Sequence, residues 1–314
     1  MSDTPAGMHA PEPFPGHDPG AFTPAPCRIV ASWPVGHFAE NLVVTSDGAV
    51  LISLHSHSRI DRYDPATGAV KPWVTLPAPV AGLALDRAGT LWATGGELGK
   101  APGLIWRIDA HGRVEQWTSI ADAVFLNGAT PHTDGQHLLV AESITGRILA
   151  VDMHTAGAST WVADERLKPV GEGIPGANGV KIFGGHIHVS VTSRNLLLRA
   201  RIGRDGACGP LETWAENLRA DDFAFDTQGA AYIATHPANS VMRLGPDGAR
   251  TTLAGPDAGA VGSTAAAFGR APADAQALYV TTNGGLWSPY QGAPQPAKLL
   301  RLEVGTAGHT LLAD

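Results

Sequence analysis

Four side chains able to hold a cation or move a proton, Glu40, Asn127, Asn178 and Asp221, stand at one register of a recurring pattern. In "HFAENLVVTSDG" the acid Glu40 is followed by apolar Leu42 and Val44, and Gly48 closes a turn eight residues on. The same frame starts at Ala81 in "VAGLALDRAG", at Asn127 in "LNGATPHTDG" and at Asp221 in "RADDFAFDTQG". It recurs from Asn178 in "GANGVKIFGGH", with the turn one residue early, and from Thr264 in "STAAAFGRAP", with a longer turn. Two carboxylates and two carboxamides brought together would repel and stay unsatisfied unless something neutralised them. A divalent cation would do so. Glu40 and Asp221 supply charge and Asn178 a neutral oxygen, a set suited to Ca²⁺, Mg²⁺ or Mn²⁺, with Zn²⁺ also able to enter.

The elements that must position these residues follow from the spacing. The six starting positions are separated by 41, 46, 51, 43 and 43 residues. After each comes a second strand ("AVLISL", "TLWATG", "HLLVAES", "HIHVSVT", "AAYIAT", "ALYVTT") and then a third that ends at a polar turn. A fourth carries Trp33, Trp73, Trp117, Trp161 or Trp214, with Leu253 in the corresponding place of another unit. Period-two alternation with turns at short intervals argues strand, and four strands per repeat of about 40 to 50 residues argues a propeller blade. The expected fold is all-β: a six-bladed β-propeller of four-stranded antiparallel blades around a central channel. The recurring Trp reads as packing between blades. "CRIVASWP" precedes the first unit as an outer strand would and is expected to join the last blade and close the ring. "HTLLAD" at the other end competes for that place. Residues 1–27, rich in Pro and Gly, read as a loose or surface-draped arm, and 28–314 as the propeller.

Composition narrows the partners. Charged residues make up 16% and the formal net charge is −7, with no Lys/Arg run, so the electrostatic footprint of a nucleic-acid or anionic-membrane binder is missing. No apolar run approaches the roughly 18 residues of a membrane helix. The N-terminal stretch has neither the basic nor the apolar region of a secretion signal. Two cysteines, Cys27 and Cys208, read as free thiols in a reducing compartment. The expectation is a cytoplasmic monomer acting on a small molecule, since a closed ring needs no partner to cover its edges.

The segments "AENLVV", "LNGAT", "GANGVK", "DDFAFD" and "STAAAFGR...LYVTTNGG" resemble the senescence-marker-protein/gluconolactonase family from about residue 28 onward. Its members are six-bladed propellers that hydrolyse lactones with a divalent metal in the channel. The resemblance implies that Glu40, Asn178 and Asp221 hold the metal, Ca²⁺ foremost, and that Asn127 contacts substrate and metal-bound water. It further implies a metal that polarises the lactone carbonyl and activates water, with Asp221 or Asp222 taking the proton. The sequence departs from the family at Glu40-Asn41-Leu42, where "E-G-P" is usual, and at Asp221-Asp222, where "D-G" is usual, so the second acid could share or replace the ligand role. The variant set also looks like a divergent branch found in secondary metabolism, some of whose members steer cycloadditions.

If first strands leave the ligand mouth, loops after second strands return to it. Those loops carry His55 and His57, Glu142, Thr192 to Arg194, His236, Asn283, Trp287 and Tyr290. His55, Arg194, His236, Trp287 and Tyr290 are therefore candidate substrate contacts, Arg194 as an anion clamp and the "LWSPYQGAPQP" aromatics as a lid. "HIH" at 186–188 falls at the opposite end of its blade and reads as solvated. The long "VADERLKPVGEGIPGA" loop should overhang the mouth. Three function classes remain: a metal-dependent lactonase or ester hydrolase; a cyclase or isomerase acting on an apolar natural-product intermediate; and a binding platform whose ion only plugs the channel.

Overall fold

A computed structural model describes residues 9–171 and 173–309. It contains six four-stranded antiparallel blades, with a fifth, short strand added to one of them. Blade 1 runs Ala39–Val44, Val50–Leu54, Arg59–Asp64, Ala69–Thr75 from the channel outward. Blade 2 runs Val80–Leu85, Leu91–Gly95, Gly103–Ile108, Val114–Ile120, and blade 3 Leu126–Pro131, His137–Glu142, Arg147–Asp152, Ala158–Ala163. Blade 4 is Ala177–Phe183, His186–Val191, Leu196–Arg201, Glu212–Glu216. Blade 5 is Phe223–Phe225, Ala231–Ala234, Val241–Leu244, Arg250–Ala254.

Blade 6 closes the ring. Its inner strands Ser263–Phe268, Ala277–Thr282 and Ala297–Glu303 come late in the chain, and its outer strand is Cys27–Trp33. Cys27 pairs with Leu302 and Trp33 with Ala297. The competing segment does not take that place as far as it is described: His309 donates its N–H to Phe225 O at 2.9 Å, and residues 310–314 lie outside the described residues. Trp33 Nε1 then bonds Asp61 Oδ2 at 2.8 Å, tying the closing strand to blade 1.

The core is divided among the blade interfaces. Six clusters of buried side chains each draw on two adjacent blades, the junction of blades 6 and 1 included. Each flat strand face is thereby covered by its neighbour, and a fully buried Leu, Ile or Val contributes about 1.5–3 kcal/mol. All five repeated tryptophans lie in outermost strands.

The described part of the N-terminal arm is held to the rim of blades 4 and 5. Asp18 N donates to Asn217 O at 2.8 Å, and Ala21–Phe22 pairs in parallel with Arg250–Ala254. One expectation fails here. His188 is only 4% exposed, its ring 4.8 Å from both Trp214 and Phe225, because its strand face packs into the blade junction; His186, on the same face but at the strand's end, is only half-buried.

Candidate functional site

Each inner strand breaks its ladder where the pattern begins. The register shifts between Ala39 and Asn41, Val80 and Leu83, Leu126 and Ala129, Ala177 and Val180, and Ser263 and Ala265. In blade 5 Ala234 faces two residues, accepting from Asp221 N at 2.8 Å and donating to Asp222 O at 2.9 Å. A bulge at a strand end re-aims a side chain that the pleat would otherwise send into the blade. Glu40, Asn127, Asn178 and Asp221 sit in these breaks, as do Ala81 and Thr264.

Hydroxyls of the second strands stitch the ring together. Ser53 Oγ donates to Ala81 O at 2.7 Å, Thr94 Oγ1 to Asn127 O at 2.5 Å, and Ser190 Oγ to Asp221 O. Ser143 Oγ donates likewise to Ala177 O at 2.6 Å, and Thr264 Oγ1, on an inner strand, joins blade 6 to blade 1 by donating to Ala39 O at 2.8 Å. Backbones approach so closely that a Cβ on Gly128 would stand 2.4 Å from Asn178 O, and one on Gly179 2.4 Å from Asp222 Oδ1. Glycine is therefore required beside these two bulges by contact distance.

Asn178 Nδ2 donates to Asp221 Oδ1 at 2.5 Å and to Thr192 Oγ1 at 3.0 Å. His236 Nδ1 lies 3.5 Å from Asp221 Oδ2, and its Nε2 is 3.1 Å from Asn283 Nδ2. Asn283 Oδ1 is engaged by Gly285 N at 2.8 Å, which leaves its NH₂ to face the ring, so Nε2 is the acceptor and Nδ1 carries the hydrogen toward Asp221. Burial, then the Arg219 cation, holds the His236 pKa down to about 4, so the ring is neutral near pH 7.

Glu40 is buried, and its Oε2 has no hydrogen-bond partner. Burial, then the Asp221 and Asp222 carboxylates, pushes its pKa well above the usual carboxylate range. Asp221 is raised likewise, by burial and then by Asp222, with Asn178 and Arg219 pulling the other way. Asp222 faces a different environment: Lys181 Nζ stands 2.6 Å from Oδ1 and Asn41 Nδ2 donates to Oδ2 at 3.1 Å. Of the two adjacent acids, Asp222 has a resident cation and Asp221 has none.

Two carboxyls that burial and neighbouring acids hold above the usual range, with one oxygen unpartnered, fit a divalent cation, and the donors are the hard oxygens such an ion takes. Among the described residues no group of three or more His, Cys, Asp or Glu side chains is placed to hold a metal, so the carboxamide of Asn178 is needed to complete the set. Asn127 is also buried in the ring, with Nδ2 unpartnered.

Above the ring is a cavity of about 610 Å³ with Glu40, Asn178, Thr192, Asp221 and His236 at its base. Its walls are apolar: Phe14, Phe38, Leu98, Phe125, Ile144 and Trp287 among others. The 162–177 loop contributes Pro169, Ile174 and Pro175, so it does overhang the mouth. Trp287 is 57% exposed and meets Phe38 edge-on at 4.5 Å. His55 is buried against Phe38 with Nε2 unpartnered, its pKa lowered to about 4 by burial, while His57 turns outward and stacks on His37.

Several rim candidates are placed elsewhere. Arg194 is exposed and braces the overhanging loop, donating from Nε to Lys168 O at 2.9 Å and from Nη2 to Glu165 O at 3.2 Å. Glu142 accepts from Val124 N, Phe125 N and Thr145, which fixes the loop before blade 3. Tyr290 does not line the cavity; the turn that carries it brings Trp287 and Ser288 there. Conversely, Arg219, Phe38 and the arm residue Phe14 line the cavity without a sequence signal that singled them out. Arg219 is separated from Asp221 by one residue, which was the only available clue.

No family model matches the sequence, and no curated protein matches it at a significant level. Solved structures do. A calcium-binding regucalcin from Agrobacterium tumefaciens is 19% identical, with 92% of this chain and 97% of that one covered at a TM-score of 0.70. A gluconolactonase from Xanthomonas campestris is 15% identical, with 95% and 99% covered at 0.68. A virginiamycin B lyase from Staphylococcus aureus is 15% identical, with 83% and 79% covered at 0.55. At such identities the likeness shows a shared propeller fold.

Proposed function

We propose that this propeller is a hydrolase of lactones or related esters, dependent on a divalent cation. The observation that carries the reading is the pair of buried carboxyls, Glu40 and Asp221, at the base of a largely apolar cavity, with Glu40 Oε2 lacking any partner. The gluconolactonase and the calcium-binding regucalcin that share the fold support it. Glu40, Asn178 and Asp221 are the residues that would hold the ion. When bound, it supplies Lewis-acid polarisation of the carbonyl and a lowered pKa for water.

The chain's own groups do the rest. Asp221 accepts the proton of the attacking water; its position is fixed by Asn178 on one oxygen and His236 beside the other. Asp222, engaged by Lys181 and Asn41, is a positioning residue beneath it. Asn127 offers its unpartnered Nδ2 to the carbonyl oxygen as negative charge develops there. The apolar walls exclude bulk water, which strengthens each of these interactions. The protein acts as a cytoplasmic monomer on a small molecule, a reading consistent with two free thiols.

The test is elemental analysis of protein purified without added metal, repeated on Glu40→Gln and Asp221→Asn, followed by pH-stat assays on a lactone panel. About one divalent ion in the wild type, lost in both variants together with lactone hydrolysis, is expected. A protein that takes up no Ca²⁺, Mn²⁺, Mg²⁺ or Zn²⁺ and opens no lactone would overturn the reading.

A further inference from the structure

We infer that Arg219 is the anion-recognising group of this cavity and that the substrate is an apolar molecule bearing a carboxylate at some remove from the bond that is cleaved. The cleaved bond rests on the hydrolase reading; the anion site rests on the cavity alone.

The walls come first. Phe14, Phe38, Leu98, Phe125, Ile144 and Trp287 come from separate segments and present carbon to the cavity, while the hydrogen-bonding side chains Glu40, Asn178, Thr192, Asp221 and His236 gather at its base. A polyhydroxylated sugar lactone would leave hydroxyls against these walls desolvated and unpaired. An aryl or alkyl body gains from the same surface.

Arg219 is the exception in the wall. It is 4% exposed, yet among the described residues no carboxylate lies within ion-pair distance of it. Nη1 donates to Asn195 Oδ1 at 3.1 Å, Nε has no partner, and the Phe14 ring lies over the guanidinium at 5.2 Å. Asp221 acts on it only through space. A buried guanidinium without a counter-ion carries an uncompensated desolvation cost, which Met or Gln at this position would avoid. A ligand carboxylate offsets that cost, and the fork of the guanidinium is shaped to receive one. Its place on the segment that also carries Asp221 sets the distance between the ligand's anionic group and the hydrolytic base.

A purely mechanical role, pinning the arm to the rim, is the competing account. His17 Nδ1 accepts from the Arg219 backbone N–H at 3.0 Å, a bond any residue here would make, so substitution separates the two roles. Calorimetric titration of phenylbutyrate and of its neutral amide would be run on wild type, Arg219→Gln and Arg219→Lys, each with and without chelator. The chelator separates a carboxylate drawn to a cation from one drawn to Arg219. The wild type should bind the carboxylate about tenfold or more tighter than the amide. That ratio should collapse toward one in Arg219→Gln and be partly restored in Arg219→Lys.

Equal binding of acid and amide by the wild type would overturn the inference. So would an Arg219→Gln variant that weakens both ligands by the same factor and melts early. Turnover of phenyl-γ-butyrolactone with and without a ring carboxylate then separates this inference from the reading beneath it. Preferential binding with neither lactone opened removes the hydrolase and leaves the anion site; opening of both at equal kcat/KM does the reverse.

Discussion

Asn41 Nδ2 donates to Asp222 Oδ2 at 3.1 Å, joining blade 1 to blade 5 across the channel, and Lys181 Nζ of blade 4 meets the other oxygen at 2.6 Å. Three blades thus share one carboxylate. Lys181→Met should destabilise the fold by about 3 kcal/mol, the cost of stripping a buried acid of its cation. The double variant Lys181→Met/Asp222→Asn should lose less than the sum of the singles, with a coupling of about 1–3 kcal/mol in urea unfolding. Additive losses would show that the pair does not act as a unit.

Gly179→Ala tests the closeness of the ring. The new Cβ would stand 2.4 Å from Asp222 Oδ1 and 2.9 Å from Asp221 O, so the blade 5 bulge must move. The expected outcome is a loss of about 1–3 kcal/mol in thermal or urea unfolding, together with weaker uptake of divalent cation. Retention of both would mean that the bulge yields freely.

His188 should make the fold acid-sensitive. Burial, then His186 and Arg199, lowers its pKa to about 3 from an ordinary 6.5, so between these values the unfolded chain holds a proton that the folded one does not. Stability therefore rises with pH across that window and is fully present above 6.5. The loss on acidification has an upper size of about 5 kcal/mol, from roughly 1.4 kcal/mol per unit. His188→Phe, which keeps a ring against Trp214 and Phe225, should flatten the fall in urea midpoint between pH 6.5 and 4. An unchanged slope would assign the acid sensitivity to other groups.

Trp287 contributes wall without being part of the core. Trp287→Ala should raise KM for an apolar lactone about tenfold through loss of an aromatic contact, while unfolding free energy changes by less than about 0.5 kcal/mol, as for other surface positions. Equal KM values would show that the bound ligand does not reach the roof.

The blades were legible because each is a local event. Turn glycines such as Gly48, Gly89, Gly135 and Gly229, all at positive φ, follow each inner strand at a fixed offset, and alternation supplies the rest. The ring of polar residues was legible for the same reason, since a repeated register becomes a circle once the repeats close. Arg219 and Phe14 were not: they meet because the arm returns to the rim of blades 4 and 5, a contact with no periodicity to announce it. Arg194 shows the opposite failure. Its loop is on the correct side, but the carbonyls of Glu165 and Lys168 engage the guanidinium first. His188 went unrecognised as core because a polar residue type concealed an inward position.

The pairing of Cys27 with Leu302 also sets a clock for biosynthesis. A ribosome adding about 5–20 residues per second emits the closing strand tens of seconds before the edge it will occupy exists. During that interval blades 1 to 5 can pack pairwise on the nascent chain, but the circle cannot shut. A message truncated before Ala297 would release an open arc with Cys27–Trp33 unmatched, a template for edge-to-edge aggregation.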